Sequence, residues 1–134
     1  MCSSDLFVLR GLQLNDHFIN DSNNDWKHQG MLFGSAFIGY NEYGVSVDKK
    51  NLINRVLLNI YTPTRRGIAM GDTKYLLLFV YGMPTRIVES TTNSGTSTVY
   101  EYKNPAASNS YLQFALDEKN QYIKSVMLSD RPVK

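Results

Sequence analysis

The chain repeats itself, and this constrains its fold more than any other feature. Arg10-Gly11-Leu12-Gln13-Leu14-Asn15-Asp16 returns as Arg66-Gly67-Ile68-Ala69-Met70-Gly71-Asp72. Val45-Ser46-Val47-Asp48-Lys49-Lys50-Asn51 returns as Phe114-Ala115-Leu116-Asp117-Glu118-Lys119-Asn120. After a slip of one residue, Ile53, Val56 and Leu58 fall on Ile123, Val126 and Leu128. The offset grows from 56 at Asp16/Asp72 to 69 at Asp48/Asp117, so the second unit carries 13 more residues, expected in loops at 91–97 and 104–110. Two divergent copies of one small unit, with nothing chemical duplicated alongside, point to a scaffold that presents surface.

Size and charge then exclude several classes. A chain of 134 residues is one domain by length and can bury an adequate core. Its 43% hydrophobic and 19% charged content is globular rather than disordered. Fourteen basic and 12 acidic residues leave a net charge of +2, with no like-charge run, too little for a nucleic-acid groove. The longest apolar run, 75–83, is broken by Gly82 and falls short of the roughly 18 residues that cross a membrane. No nucleic-acid partner and no transmembrane segment are expected.

The first residues read as foreign. Cys2-Ser3-Ser4-Asp5-Leu6 resembles the translation of a sequencing adapter. Residues 1–6 are therefore expected to be non-native, in a bacterial gene assembled from environmental DNA and cut at its front. On that reading the single cysteine is an artefact, and any signal peptide or lipid anchor belongs to the missing amino terminus. The alternative is an ordinary cytosolic amino terminus with a free thiol.

The second unit, 62–134, carries the clearer pattern. Asp72 is expected to cap a single helix over 73–81, which Gly82 and Pro84 end. Leu76, Phe79 and Val80 form its expected buried stripe, widened by Leu77 and Leu78. Residues 85–89 and 98–103 read as strands around a polar turn at 91–97. A hairpin follows, up over 111–116, across 117–120 and down over 121–129. Leu112, Phe114 and Leu116 share one face with Val126 and Leu128, the expected contact with the helix.

In the first unit, 7–61, Val45 and Val47 take the places of Phe114 and Leu116, and 31–40 reads as a further apolar strand. Its helix is expected to be degenerate. Residues 17–26 are rich in Asn, Ser and Asp, which compete for backbone hydrogen bonds, so a frayed helix or long loop held by Phe18 and Trp26 is expected. The expected class is thus α+β: an antiparallel sheet with one or two short helices packed on one face. Two divergent tandem helix-plus-sheet units would build it, joined into one continuous globular domain.

The second unit also resembles a known module. Thr64-Arg65-Arg66-Gly67-Ile68-x-x-Gly71-Asp72, then Tyr81-Gly82-x-Pro84, Tyr100-x-Tyr102 and Leu116-Asp117-Glu118-x-Asn120 follow the order of the SmpA/OmlA (BamE-like) lipoproteins. The tandem arrangement is similar to the β-lactamase inhibitor protein fold. The resemblance covers 64–129 well and 10–60 in part. It implies an extracytoplasmic protein of the cell envelope, or a secreted one, often lipid-anchored, that works by binding other proteins. No lipobox cysteine or signal sequence is visible, and the matching motifs hold the fold rather than an interface.

Catalytic parts are scarce. His17 and His28 have no Cys or His at a ligand-like interval, so no metal site is expected. Gly67-x-x-x-Gly71-Asp72 lacks the Lys-Ser/Thr of a phosphate loop. Glu101, Asp117 and Glu118 hold the residue types of a glycosidase pair, but the last two fall in a hairpin turn where acids are common. No serine stands in a nucleophile elbow. Neither an enzyme nor a cofactor is expected.

What remains is surface. If Leu112, Phe114 and Leu116 face the helix, Tyr111 and Gln113 face away, and strand alternation places Ile123, Ser125 and Met127 beside them. Aromatic and methionine side chains are enriched at interfaces. Tyr111, Gln113, Ile123, Ser125 and Met127 are therefore the candidate partner-binding residues. The expected function is a non-enzymatic protein–protein interaction module of the bacterial cell envelope, of inhibitor or assembly-factor type. The alternative is a binding protein for a small ligand or cell-wall fragment held between the two units.

Overall fold

Strand, not helix, is the dominant element among the described residues. The computed structural model describes residues 7–9, 12–19, 27–32, 35–40, 43–58, 62–92, 95–105, 109–117, 119 and 121–132. Eight strands form one antiparallel sheet: β1 (Lys27–Leu32), β2 (Ser35–Tyr40), β3 (Tyr43–Val47), β4 (Ile53–Leu58), β5 (Arg86–Thr92), β6 (Gly95–Lys103), β7 (Tyr111–Leu116) and β8 (Ile123–Ser129). Their order is β1-β2-β3-β4-β8-β7-β6-β5, two four-stranded meanders joined where β4 meets β8. Among the described residues one helix, α1 (Lys74–Tyr81), lies between them in sequence.

This overturns the expected α+β class of two helix-plus-sheet units. The fold is one mostly antiparallel sheet with a single helix among the described residues. In the first unit, residues 12–19 form no helix and are tied to the β3–β4 hairpin: Asn15 donates to the Ile53 carbonyl at 2.8 Å, Phe18 to that of Asn51 at 3.0 Å, and His17 bridges Leu52. Phe18 is buried, while Trp26 lies outside the described residues. Two strand boundaries also move. The expected strand at 31–40 is a hairpin, with β1 paired to β2. The expected turn at 91–97 is mostly ladder, Thr91 opposite Thr96 and Thr92 opposite Gly95, as β-branched threonines favour.

Equivalent backbone bonds recur in the two meanders. Asn15 donates to the Ile53 carbonyl at 2.8 Å and Ile53 to that of Asp16 at 2.9 Å. Gly71 and Ile123, then Ile123 and Asp72, make the same two bonds, each at 2.8 Å. Asn15 and Gly71 both adopt positive φ, 70° and 93°. Asp48 and Asp117 each start a hairpin turn and accept two backbone amides through Oδ1. Asp48 donates back to the carbonyl of Leu52, but Asp117 to that of Tyr122, so the second turn is one residue longer. Both hairpins carry a bulge just before the turn, at Ser46/Val47 and at Ala115/Leu116.

Those bulges decide which side chains face inward. Ile53 opposes Val47, but Arg55 opposes Ser46, so Asn54 is extra; Lys124 is extra in β8 in the same way. The core is therefore Val45, Val47, Ile53, Val56 and Leu58 in one half. Leu112, Phe114, Leu116, Ile123, Val126 and Leu128 fill the other.

The helix packs on this inner face through a different stripe from the one expected. Thr73, not Asp72, is the N-cap, accepting the Leu76 amide at 3.2 Å, while Asp72 closes the preceding turn by accepting from Ala69. Leu77 is the fully buried residue, with Leu78, Val80 and Tyr81 packed on the core; Leu76 and Phe79 face outward. Every residue from Tyr75 to Tyr81 is apolar or aromatic, so periodicity could not select a face. Gly82 ends the helix at φ 81°, and its carbonyl accepts the Tyr102 hydroxyl at 2.8 Å. Removing the cap by Thr73→Ala is expected to cost about 1 kcal/mol. A urea midpoint unchanged from the parent would show that the cap contributes nothing.

Candidate docking surfaces

The sheet's two faces differ sharply. Strand alternation leaves the second, outer face opposite α1. Register sets two rows across it. One runs Leu57, Met127, Gln113, Glu101, Arg86; the other runs Ser125, Ala115, Val99, Val88. Leu57, Met127, Ala115, Val99 and Val88 are partly exposed apolar positions. A buried polar centre interrupts them. Gln113 Nε2 donates to Glu101 Oε2 at 3.1 Å and to the Arg131 carbonyl at 2.9 Å. Arg86 closes the set with a 3.3 Å ion pair to Glu101. Among the described residues, the carboxy-terminal stretch holding Arg131 is the part hydrogen-bonded over this face.

The five candidate residues do not lie on one surface. Tyr111, Ser125 and Met127 do share the outer face and are partly exposed. Gln113 shares it too, but it is only 5% exposed and its amide is committed to Glu101 and Arg131. Ile123 is placed differently: it is 2% exposed, opposite Leu116 on the inner face. Simple alternation put it outside, and the bulge at Lys124 reverses the parity.

Of the three acids weighed as a glycosidase pair, Glu101 and Asp117 are held structurally, and Glu118 lies outside the described residues. Glu101 is buried in its ion pair, and Asp117 caps a turn. The Gln121 amide, joined by those of Tyr122 and Lys119 and by the Lys119 charge, holds the Asp117 carboxyl below the usual carboxylate range, against partial desolvation. An open basin of about 320 Å³ beside it is lined by Asp117, Lys119, Tyr122 and Lys124. Among the described residues, no three His, Cys, Asp or Glu side chains gather as a metal site. No described helix is long and apolar enough to cross a membrane.

Sequence reasoning missed a second surface. Tyr75, Leu76 and Phe79 are 69%, 42% and 87% exposed on α1, and Met83 just beyond it is 79% exposed. The signal was present in the helix itself, which offers more apolar residues than one buried stripe can hold.

No family model, curated protein or solved structure matches the chain.

Proposed function

We propose that this chain is a non-enzymatic protein-binding module that docks its partner on the outer face of the sheet. The observation that carries this reading is the set of partly exposed Leu57, Met127, Ala115, Val99 and Val88, spread over two adjacent rows around a buried, hydrogen-bonded polar centre. A broad apolar face of this kind suits shape-complementary docking, with Tyr111 at its margin supplying ring area and a hydroxyl. The buried carboxylate and amide hold the strands in register and leave the apolar side chains to meet the partner. The resemblance to the SmpA/OmlA lipoproteins supplies the setting, a bacterial cell envelope, and the mode, inhibitor or assembly factor.

The test uses the full chain as bait in bacterial envelope extract, read by mass spectrometry. One dominant protein is expected, and Tyr111→Asp with Met127→Asp should abolish its capture while leaving the thermal transition in place. Capture undiminished by the double change, or no captured protein at all, refutes docking on this face.

A further inference from the structure

After β8 the chain doubles back over the outer face. Ser129 pairs with Tyr111 at the end of the ladder, yet the Arg131 carbonyl lies on Gln113, back toward the middle of the sheet. A bend turns the chain. The Arg131 amide donates to Ser129 Oγ at 3.2 Å, and the Asp130 amide to the Asn54 carbonyl at 3.1 Å. Pro132 follows, with no amide of its own to extend a ladder. Burial shows the effect: Gln113 and Glu101 are buried, while Tyr111, Ala115 and Met127 around them on the same face are partly exposed.

This segment is lightly fastened. Gln113 Nε2 gives one hydrogen to Glu101 and the other to Arg131, and both partners only accept, which fixes the orientation of the amide. Beyond that bond, Arg131 exposes 70% of its side chain and Pro132 is exposed. Asp130 Oδ1 is buried but accepts no hydrogen bond among the described residues. Arg131 Nε stands 4.0 Å from it, too far for one. A buried acceptor left unbonded works against the closed arrangement.

The segment also lies between the residues that a partner would use. Tyr111 and Ala115 stand two positions either side of Gln113 on β7, and Met127 faces it from β8. Val99 lies beyond Ala115 on β6. A partner laid across Tyr111, Met127 and Val99 has to clear Arg131.

We propose that residues 130–132 form a displaceable strap, which closes the outer face in the free protein and gives way to a docked one. On opening, the Gln113 amide passes from the Arg131 carbonyl to a backbone carbonyl of the partner, so no buried donor is left unbonded. The proposal rests on the docking reading above and adds a control to it. One net hydrogen bond shifts such an equilibrium by about fivefold to tenfold, and a strap of that strength lowers the apparent affinity by the same factor.

The test compares the full chain with one ending at Asp130, using a fluorescent anilinonaphthalene sulfonate dye as probe. The exposed residues of α1 give both chains the same background. Dye emission should rise in the shortened chain with the thermal transition kept, because apolar surface is uncovered. Adding Tyr111→Asp and Met127→Asp to the shortened chain should remove the rise, which places the dye on the outer face. Should shortening unfold the protein, Gln113→Met in the full chain removes the bond without removing the strap, and emission should rise likewise. No rise in either variant, or a rise that the aspartate pair leaves in place, overturns the strap. The dye needs no partner, so this result is independent of whether docking holds. Where the full chain captures a protein from envelope extract, the shortened chain should hold it about fivefold more tightly. Equal affinity overturns displacement and leaves docking standing.

Discussion

Replacing Phe114 with alanine is expected to lower the unfolding free energy by about 3–5 kcal/mol, seen as a lower urea midpoint at unchanged slope. Phe114 is fully buried on β7, opposite Tyr100 on one side and Val126 on the other. Its ring centre lies 5.3 Å from that of Tyr81 on the helix and 5.8 Å from that of Tyr102 on β6, the latter edge-on. It is therefore the contact that seats the helix on the sheet. Truncation removes the ring's burial and leaves a cavity that strands held by ladders on both sides cannot close. Domains of this kind are stable by only about 5–15 kcal/mol, so the variant should fold yet be fragile. A loss below about 1 kcal/mol would mean that the helix is seated elsewhere.

Alkaline solution should attack the same cluster through Tyr102. Burial, reinforced by the charges that Tyr100 and Tyr81 would carry, pushes its phenol well above the ordinary value of 10.0. The folded state then keeps a proton that the unfolded chain releases. Stability from this group is whole below about pH 10 and declines above it, by at most about 1.4 kcal/mol per pH unit. Tyr102→Phe gives the control. Near pH 8 it should be less stable than the parent by about 1 kcal/mol, having lost the hydrogen bond to the Gly82 carbonyl. As pH rises through about 10 to about 11.5 the two stabilities should converge and then cross. A constant difference over that range would show that Tyr102 ionises alike in both states.

Much of the core was legible in the chain. Val45, Val47, Phe114 and Leu116 alternate as strand residues must, and all four are buried. Even the bulges are written there. Ile53, Val56 and Leu58 are spaced by three and then two, as are Ile123, Val126 and Leu128, and a strand that keeps one face inward at such spacing must carry an extra residue. Reading β8 as unbroken alternation is what misplaced Ile123. The helix misled for the opposite reason, since a segment apolar throughout has no preferred face of its own. Of the candidate docking residues, Tyr111, Ser125 and Met127 keep the expected side, and Gln113 keeps it with its amide bonded along that face to Glu101.

By itself the sequence determined the two hairpin turns at Asp48 and Asp117 and the alternation that makes one sheet face apolar, because these depend on neighbours a few residues apart. Asp48 and Asp117 accept amides within their own turns, and nothing distant is needed. The tertiary structure decided the rest. The pairing of β4 with β8 joins the two meanders into one sheet between segments some seventy residues apart. That contact repays its loop closure only once both partners exist as strands. The same pairing places the inner faces of both meanders on one side, and so selects Leu77 for burial. Phe79 is left to the surface because the sheet offers α1 only one side to pack against.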